Sequence, residues 1–238
     1  MNGLITLGGI LAMLLAAGGL IGLADRRHFE VRWLLVAAAL VVIEDAMLTR
    51  FYRLMPDLLP ELERNWQGKV MALAVTLAIA ALPAFGWRRV GLTLRQAPGS
   101  LRPAVAVAAL YCAFFAVLAA IFPNDPPQTE NFLFQLTMPG LEEEPFYRGT
   151  LLFALDRAFT GRKRLLGIDW GWGAILSSLL FGLAHGFSYG ADAFSLDPLT
   201  VLLTGVPALL AVWVRVRTGS LLLPILMHNF GNSVLQLY

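Results

Sequence analysis

The chain has 238 residues, of which 58% are hydrophobic and 14% are charged, and its net charge is +2. A soluble domain has about 45–50% apolar and about 25% charged residues, so this composition excludes a cytosolic enzyme, a secreted disulfide scaffold and a disordered protein. The net charge carries no nucleic-acid signal in such a chain, because the position of the charges matters more than their sum, and we expect no nucleic-acid partner. A single cysteine excludes an intramolecular disulfide. We therefore expect an all-α integral membrane protein in contact with the lipid bilayer.

Eight stretches are predicted to be membrane-spanning helices, each of which needs roughly 20 mostly apolar residues. The first stretch lacks a basic start and a cleavage site, so we interpret it as a retained helix rather than a signal peptide. No repeat, linker or low-complexity segment divides the sequence. It therefore predicts a single domain over 1–238, a polytopic bundle of about eight helices at 3–24, 33–49, 70–87, 103–122, 131–159, 170–186, 198–214 and 220–237.

The distribution of basic residues predicts the orientation of this bundle. Most of the 18 Lys and Arg residues lie in the loops after the first, third, fifth and seventh spans, and the loops after the fourth and sixth spans contain none. Because cytoplasmic loops are rich in Lys and Arg, both termini are expected outside the cytoplasm. The loop after the second span is the exception, since it contains Arg50, Arg53, Arg64 and Lys69.

The fifth span contains the most polar motif, EEEPFYR at 142–148. A charged side chain at the bilayer centre costs about 2.5–3.5 kcal/mol, so such residues are functional candidates. Glu144 and Arg148 are four residues apart, a spacing that favours an ion pair on one helix face. Glu143 has no local partner, and Glu142 is interpreted as an interface residue. The prolines of this span are expected to kink or break the helix beside a protein-enclosed cavity.

Two later spans each place two residues on one helix face. Phe181 and His185 are four residues apart in the sixth span, and His228 and Asn232 have the same spacing in the eighth. Either pair alone is also explained by packing or by hydrogen bonding between helices.

Helical depth brings these groups together. At a rise of about 1.5 Å per residue, Glu143 lies near the midplane, His185 lies in the outer half of its span, and His228 lies near the middle with Asn232 above it. Three spans therefore place a carboxylate, two imidazoles and an amide in one outer slab, which predicts a single site. The acidic dipeptide Glu44-Asp45 of the second span falls at a similar depth and either supports this site or marks the end of a short helix.

The three motifs, in this order and spacing, resemble the signature of the CPBP family. These proteins are the CAAX-protease and bacteriocin-processing intramembrane endopeptidases, also called Abi or type II CAAX prenyl endopeptidase-like proteins. The resemblance covers roughly 70–238, the expected catalytic core, and leaves 1–69 as additional N-terminal helices. The matching residues are Glu143, Glu144, Arg148, Phe181, His185, His228 and Asn232.

The resemblance implies an eight-helix bundle with an intramembrane cavity, in which a peptide bond of a membrane-anchored protein or peptide is hydrolysed. Glu143 would be the general base that activates water, assisted by His185. His228 and Asn232 would form the oxyanion hole, and the other three matching residues would support these four. This glutamate-type mechanism needs no cofactor and no metal.

Three alternatives remain open. A zinc-dependent version of the protease would use Glu143, His185 and His228 as metal ligands, although the sequence has no HExxH motif. A non-catalytic membrane scaffold or bacteriocin-immunity protein would keep the fold and lose motif residues, all of which are present here. A small transporter would show repeated halves with paired broken helices, and the sequence shows no such symmetry.

The expected substrate depends on the orientation. The eukaryotic relatives remove the last three residues of prenylated CAAX proteins at a site that faces the cytoplasm. The charge pattern places the candidate residues toward the outside of what we expect to be a bacterial or archaeal cytoplasmic membrane. This orientation disfavours prenyl-CAAX processing and favours the trimming of C-terminal sorting tags, bacteriocin leaders or pheromone-type peptides.

Overall fold

The computed structural model describes residues 1–123 and 128–237, and the protein is mostly helical, at 71%. Single-turn 3-10 helices lie at Arg26–His28 and Phe51–Leu54, after the first two long helices. The α-helices in these ranges are α1 (Asn2–Ala24), α2 (Val31–Thr49), α3 (Trp66–Ala81), α4 (Leu101–Ile121), α5 (Thr129–Glu144), α6 (Leu152–Ala158), α7 (Trp172–Gly186), α8 (Pro198–Thr218) and α9 (Leu222–Val234).

Two antiparallel hairpins correct the all-α expectation. Strand β1 (Lys163–Leu165) pairs with β2 (Ile168–Trp170), and β3 (Phe187–Gly190) pairs with β4 (Ala193–Leu196). Each hairpin closes through a two-residue turn in which both residues have positive φ, 51° and 80° at residues 166–167 and 47° and 60° at residues 191–192. Such turns match the twist of paired strands, so these short polar connections fold as hairpins.

Within residues 1–123 and 128–237, three helices are long and apolar enough to cross a membrane, namely α1, α4 and α8. Helices α3 and α7 are apolar but shorter, with 16 and 15 residues. The third predicted span is displaced, because α3 begins at Trp66 and ends before Leu82, whose extended conformation suits a residue that precedes a proline. The protein is thus a membrane protein with transmembrane helices, while the number of eight spans stays a prediction.

The sequence predicts that the fifth span kinks or breaks at its prolines. The span is helical up to Ala158, so the prolines do not break it, and the expected kink stays a prediction. Pro139 lies inside α5 without ending it, and a π-helical segment, Pro145–Leu151, joins α5 directly to α6. Proline has no backbone N–H to donate, and a wider π turn accommodates this missing hydrogen bond while the chain stays helical. This π segment contacts α2, α3, α7 and α8 and therefore lies at the centre of the bundle.

Buried apolar side chains hold the bundle together in two main clusters. The larger cluster joins α1, α2, α6 and α7 and includes Leu34, Leu155 and Leu180. The smaller one joins α4, α8 and α9 around Tyr111 and Met227. The larger cluster includes Phe146 and Leu151 of the π segment, so apolar side chains anchor this segment in the bundle.

Helices α5 and α9 approach each other most closely at Gly140. The Gly140 N–H donates to Asn229 Oδ1 at 2.8 Å, and a Cβ atom at this glycine would lie 2.5 Å from that oxygen and 2.7 Å from the Ile225 carbonyl oxygen. Real Cβ atoms are not found at such distances, so the approach requires glycine.

Gly140→Ala is expected to lower the free energy of unfolding by about 1–3 kcal/mol, because the added methyl group forces the two helices apart. The measurement is thermal unfolding of the purified protein in detergent, followed by far-UV circular dichroism. Gly19→Ala is the matched control, since no atom lies within 4 Å of a Cβ at that helical glycine. Equal unfolding midpoints for the two variants would contradict the close approach.

Candidate active site

The Glu143 carboxylate, at the end of α5, has two different environments at its two oxygens. Lys69 Nζ donates to Oε1 at 2.6 Å. Oε2 is buried, has no hydrogen-bond partner in the part of the chain that the structure describes, and lies 3.8 Å from His228 Nε2. One oxygen is therefore fixed by a cation, and the other is available to a molecule beside His228.

Lys69 also contacts the neighbouring carboxylate, Glu142. Lys69 is 8% exposed and Glu142 is 1% exposed, so two sequence-based interpretations are wrong: Lys69 is not a loop residue and Glu142 is not an interface residue. Helix α3 starts one turn earlier than expected, because the Asn65 side chain accepts from the Gly68 N–H and caps the helix. Lys69 thereby enters the bundle as the counterion of two carboxylates.

The two acidic residues of α2, Glu44 and Asp45, have different partners. Glu44 is buried, accepts from Thr76 Oγ1 at 3.4 Å and interacts with Glu142, so it extends the Lys69 cluster. Asp45 pairs with Arg50 at the end of α2. One residue thus belongs to the polar interior, and the other marks the helix end.

Glu144 connects α5 to α9 and to the π segment. His228 Nδ1 bonds to Glu144 Oε1 at 2.7 Å, and Arg148 Nη1 lies 3.2 Å from the same oxygen. A carboxylate accepts, so the ring donates from Nδ1, and its Nε2 points toward Glu143. Glu144 therefore fixes the orientation of His228, and the expected pair with Arg148 is present.

His185 is fixed by its own helix. Its Nδ1 lies 2.8 Å from the Phe181 carbonyl oxygen, which only accepts, so Nδ1 donates and Nε2 of the neutral ring is free to accept. The Phe181 ring lies between several groups of the site. Its centroid is 4.6 Å from that of His185, 5.7 Å from that of His228 and 4.2 Å from the Arg148 Cζ atom.

The Asn232 amide is held by a residue that the motifs do not contain. Its Nδ2 donates to Gln135 Oε1 of α5 at 3.1 Å. An amide nitrogen has two hydrogens, so one bond to Gln135 leaves the second hydrogen for another acceptor.

One cavity of about 670 Å³ gathers these groups. Its lining includes all seven motif residues, namely Glu143, Glu144, Arg148, Phe181, His185, His228 and Asn232. Apolar side chains such as Phe115, Leu118 and Leu203 complete the wall. The lining lies toward the beginnings of α3 and α8 and the ends of α4, α7 and α9, which is the opposite end of the bundle from Arg215 and the other basic loops.

Sequence reasoning missed Lys69, Glu142 and Gln135 as parts of this site. A usable signal existed for Lys69. Three adjacent intramembrane carboxylates need compensating charge, Arg148 pairs with only one of them, and Lys69 stands directly before an apolar stretch. Gln135 offered no comparable signal, because a lone glutamine seven residues before the first motif has many possible partners.

The comparison with protein families gives a single result. Residues 126–234 match the family model described as type II CAAX prenyl endopeptidase Rce1-like. This segment contains α5 to α9 and all seven motif residues, while α3 and α4 of the expected 70–238 core lie outside it. No curated protein and no solved structure matches the chain.

The family match confirms the resemblance to the CPBP and CAAX proteases. Residues 126–234 are therefore similar to the CAAX proteases, and this similarity suggests a protease. The roles of the individual residues are not part of that match and remain predictions.

Lys69→Met is expected to lower the free energy of unfolding by about 3–5 kcal/mol, because it leaves buried carboxylates without their counterion. The double variant Lys69→Met/Glu142→Gln removes one of these charges as well and should recover part of the loss. Thermal unfolding in detergent measures both effects.

Lys163→Met is the control for this series, since Lys163 is an exposed lysine of the β1–β2 hairpin. It should leave the unfolding midpoint unchanged. If Lys69→Met also unfolds at the wild-type midpoint, the ion pairs of Lys69 do not stabilise the bundle.

Proposed function

We propose that the protein is an intramembrane endopeptidase that hydrolyses a peptide bond of a membrane-associated protein or peptide, with Glu143 activating the attacking water. The observation that carries this proposal is the convergence of Glu143, His185, His228 and Asn232 on one cavity of about 670 Å³. The family match supports the reaction class.

In the proposed reaction, a water molecule between Glu143 and His185 attacks the carbonyl carbon of the substrate. The water gives one proton to Glu143 as its oxygen bonds to that carbon, and a tetrahedral intermediate with a negatively charged oxygen forms. Glu143 passes the proton to the departing nitrogen when the C–N bond breaks. The unpartnered Oε2 of Glu143 and the free Nε2 of His185 support this assignment, because each has room for one further hydrogen bond.

His228 and Asn232 are the proposed donors to the negatively charged oxygen. A protonated His228 ring donates from both nitrogens, through Nδ1 to Glu144 and through Nε2 toward the cavity. Gln135 holds Asn232 by one of its two amide hydrogens. Donors fixed in advance stabilise developing charge without reorganisation, and the loss of one typically lowers kcat by about 100–1,000-fold.

Lys69 and Glu144 are proposed as positioning residues. Lys69 holds one oxygen of Glu143, which leaves the other directed at the water, and Glu144 Oε1 bonds to the His228 ring while it pairs with Arg148. Lys69, Glu144 and His228 are buried, so these positions are maintained before the substrate binds.

The proposed substrate is a membrane-anchored tail or leader outside the cytoplasm, such as a C-terminal sorting tag. The cavity lies at the end of the bundle opposite the basic loops, which the positive-inside rule places in the cytoplasm. The basic residues after the second span are the exception to this rule. Two of them have internal partners, since Lys69 is a buried counterion and Arg50 is paired with Asp45.

Glu143→Gln is expected to leave a defined set of substrate termini unprocessed. The measurement compares the termini of membrane proteins in host cells that contain either the wild-type protein or the variant at equal levels. Asp45→Asn, which changes an acidic residue outside the cavity, is the control and should process normally. If termini are unchanged and the variant still rescues the phenotype of gene loss, the protein is a scaffold or immunity factor.

Removal of metal ions by a chelator distinguishes the glutamate-type mechanism from the zinc-dependent one. No group of three or more His, Cys, Asp or Glu side chains within residues 1–123 and 128–237 is arranged to hold a metal ion. The glutamate-type mechanism predicts that processing by the purified wild-type protein persists in EDTA. Loss of processing that zinc restores would favour the zinc enzyme with Glu143, His185 and His228 as ligands.

The proposed orientation predicts which hairpin is accessible from outside the cell. In a Cys112→Ala background, Ser195→Cys in β4 should react with a membrane-impermeant maleimide on intact cells, because this hairpin follows the cavity end of α7. Leu165→Cys in β1 is the control and should react only after the membrane is opened. The reverse pattern would place the cavity toward the cytoplasm and favour cytoplasmic C-terminal processing.

A further inference from the structure

A second cavity, of about 210 Å³, lies at the opposite end of the bundle between the π segment, α6 and the end of α8. Three guanidinium groups line it, those of Arg89, Arg148 and Arg215, together with one carboxylate, Asp156. Arginines are seldom placed side by side around a cavity, because like charges repel strongly where little water separates them.

The nearby carboxylates neutralise these arginines only in part. Asp156 Oδ1 is bonded to Arg162 Nη2 at 3.1 Å, and Glu144 is the partner of Arg148. In residues 1–123 and 128–237, neither Arg89 nor Arg215 forms an ion pair. The cavity therefore keeps an excess of positive charge.

Two of the guanidinium groups also have hydrogen-bond donors without acceptors. Arg148 is 2% exposed, and its Nε is buried with no hydrogen-bond partner in the described ranges. The same is true of Arg215 Nε. A buried donor without an acceptor is costly, and such groups in native proteins usually have a water or an ion as partner.

The backbone around Arg215 is adapted to this position. Arg215 Nη2 donates to the Arg89 carbonyl oxygen at 2.9 Å, which holds the two arginines next to each other. The guanidinium group lies on Gly91, where a Cβ atom would be 2.2 Å from Nε. Gly91 has φ +84°, a conformation that favours glycine. Because glycine has no side chain, the guanidinium group of Arg215 has room to reach the cavity.

We propose that this cavity is a binding site for an anion of the phosphate class. Guanidinium groups bind phosphate oxygens through paired, charge-assisted hydrogen bonds, and the unpartnered donors of Arg148 and Arg215 are of the required type. The anion is either free phosphate or the headgroup of an anionic phospholipid, because the cavity lies at the end of the bundle with the basic loops, next to the membrane surface. Arg148 also lines the candidate active site, so the two cavities share one side chain.

This site does not depend on the proposed protease activity, and its test therefore measures binding. The purified full-length protein is titrated with inorganic phosphate in neutral detergent at constant ionic strength, and thermal unfolding is followed. A second arm compares nanodiscs of phosphatidylcholine alone with nanodiscs that also contain phosphatidylglycerol. The variants are Arg89→Gln and Arg215→Gln, and the control is Arg217→Gln, whose side chain bonds to the Gly167 carbonyl oxygen away from the cavity.

The expected result is a saturable rise of the unfolding midpoint for the wild-type protein and for Arg217→Gln. Arg89→Gln and Arg215→Gln should each weaken the apparent affinity by about tenfold or more. A response to inorganic phosphate identifies the free anion, and a response confined to phosphatidylglycerol identifies the lipid headgroup. If Arg215→Gln does not fold, the Arg89→Gln variant tests the proposal, because Arg89 is exposed. Equal responses of all four proteins, or no response in either arm, would overturn the proposal.

Discussion

The burial of three adjacent carboxylates in one helical turn is the constraint on which the site depends. Glu142 and Glu144 are each 1% exposed, and the side chain of Glu143 beside them is 15% exposed. Consecutive residues of a helix point in different directions, so each carboxylate needs a partner from a different side. Lys69 of α3 pairs with Glu142 and Glu143. Arg148 and His228 contact Glu144.

The same bonds that make this burial tolerable also set the geometry of the proposed chemistry. His228 is held by Glu144 in the orientation that directs Nε2 toward Glu143. The Phe181 ring contacts the rings of His185 and His228 and covers Arg148, which places an apolar surface against this cation. Stability and reactivity therefore share their contacts, and a substitution here changes both.

Short-range spacing predicted the parts of the site that depend on one helix. The pair of Glu144 with Arg148 follows from a separation of four residues, and helical depth placed His185 and His228 at one level. Contacts between distant segments carried no such signal. Lys69 meets Glu143 across 74 residues of sequence, and the two hairpins depend on turn residues with positive φ that seldom include leucine or alanine.

The helices of the bundle differ in length, and three of those that line the candidate active site are short. Helices α3, α7 and α9 have 16, 15 and 13 residues, whereas α1, α4 and α8 have 23, 21 and 21. The shorter three extend only about 20–24 Å, less than the roughly 30 Å of the hydrocarbon core. A bilayer relieves such mismatch by thinning locally. Such thinning would bring the polar surface of the membrane closer to the candidate active site, and it would shorten the route by which water reaches that site.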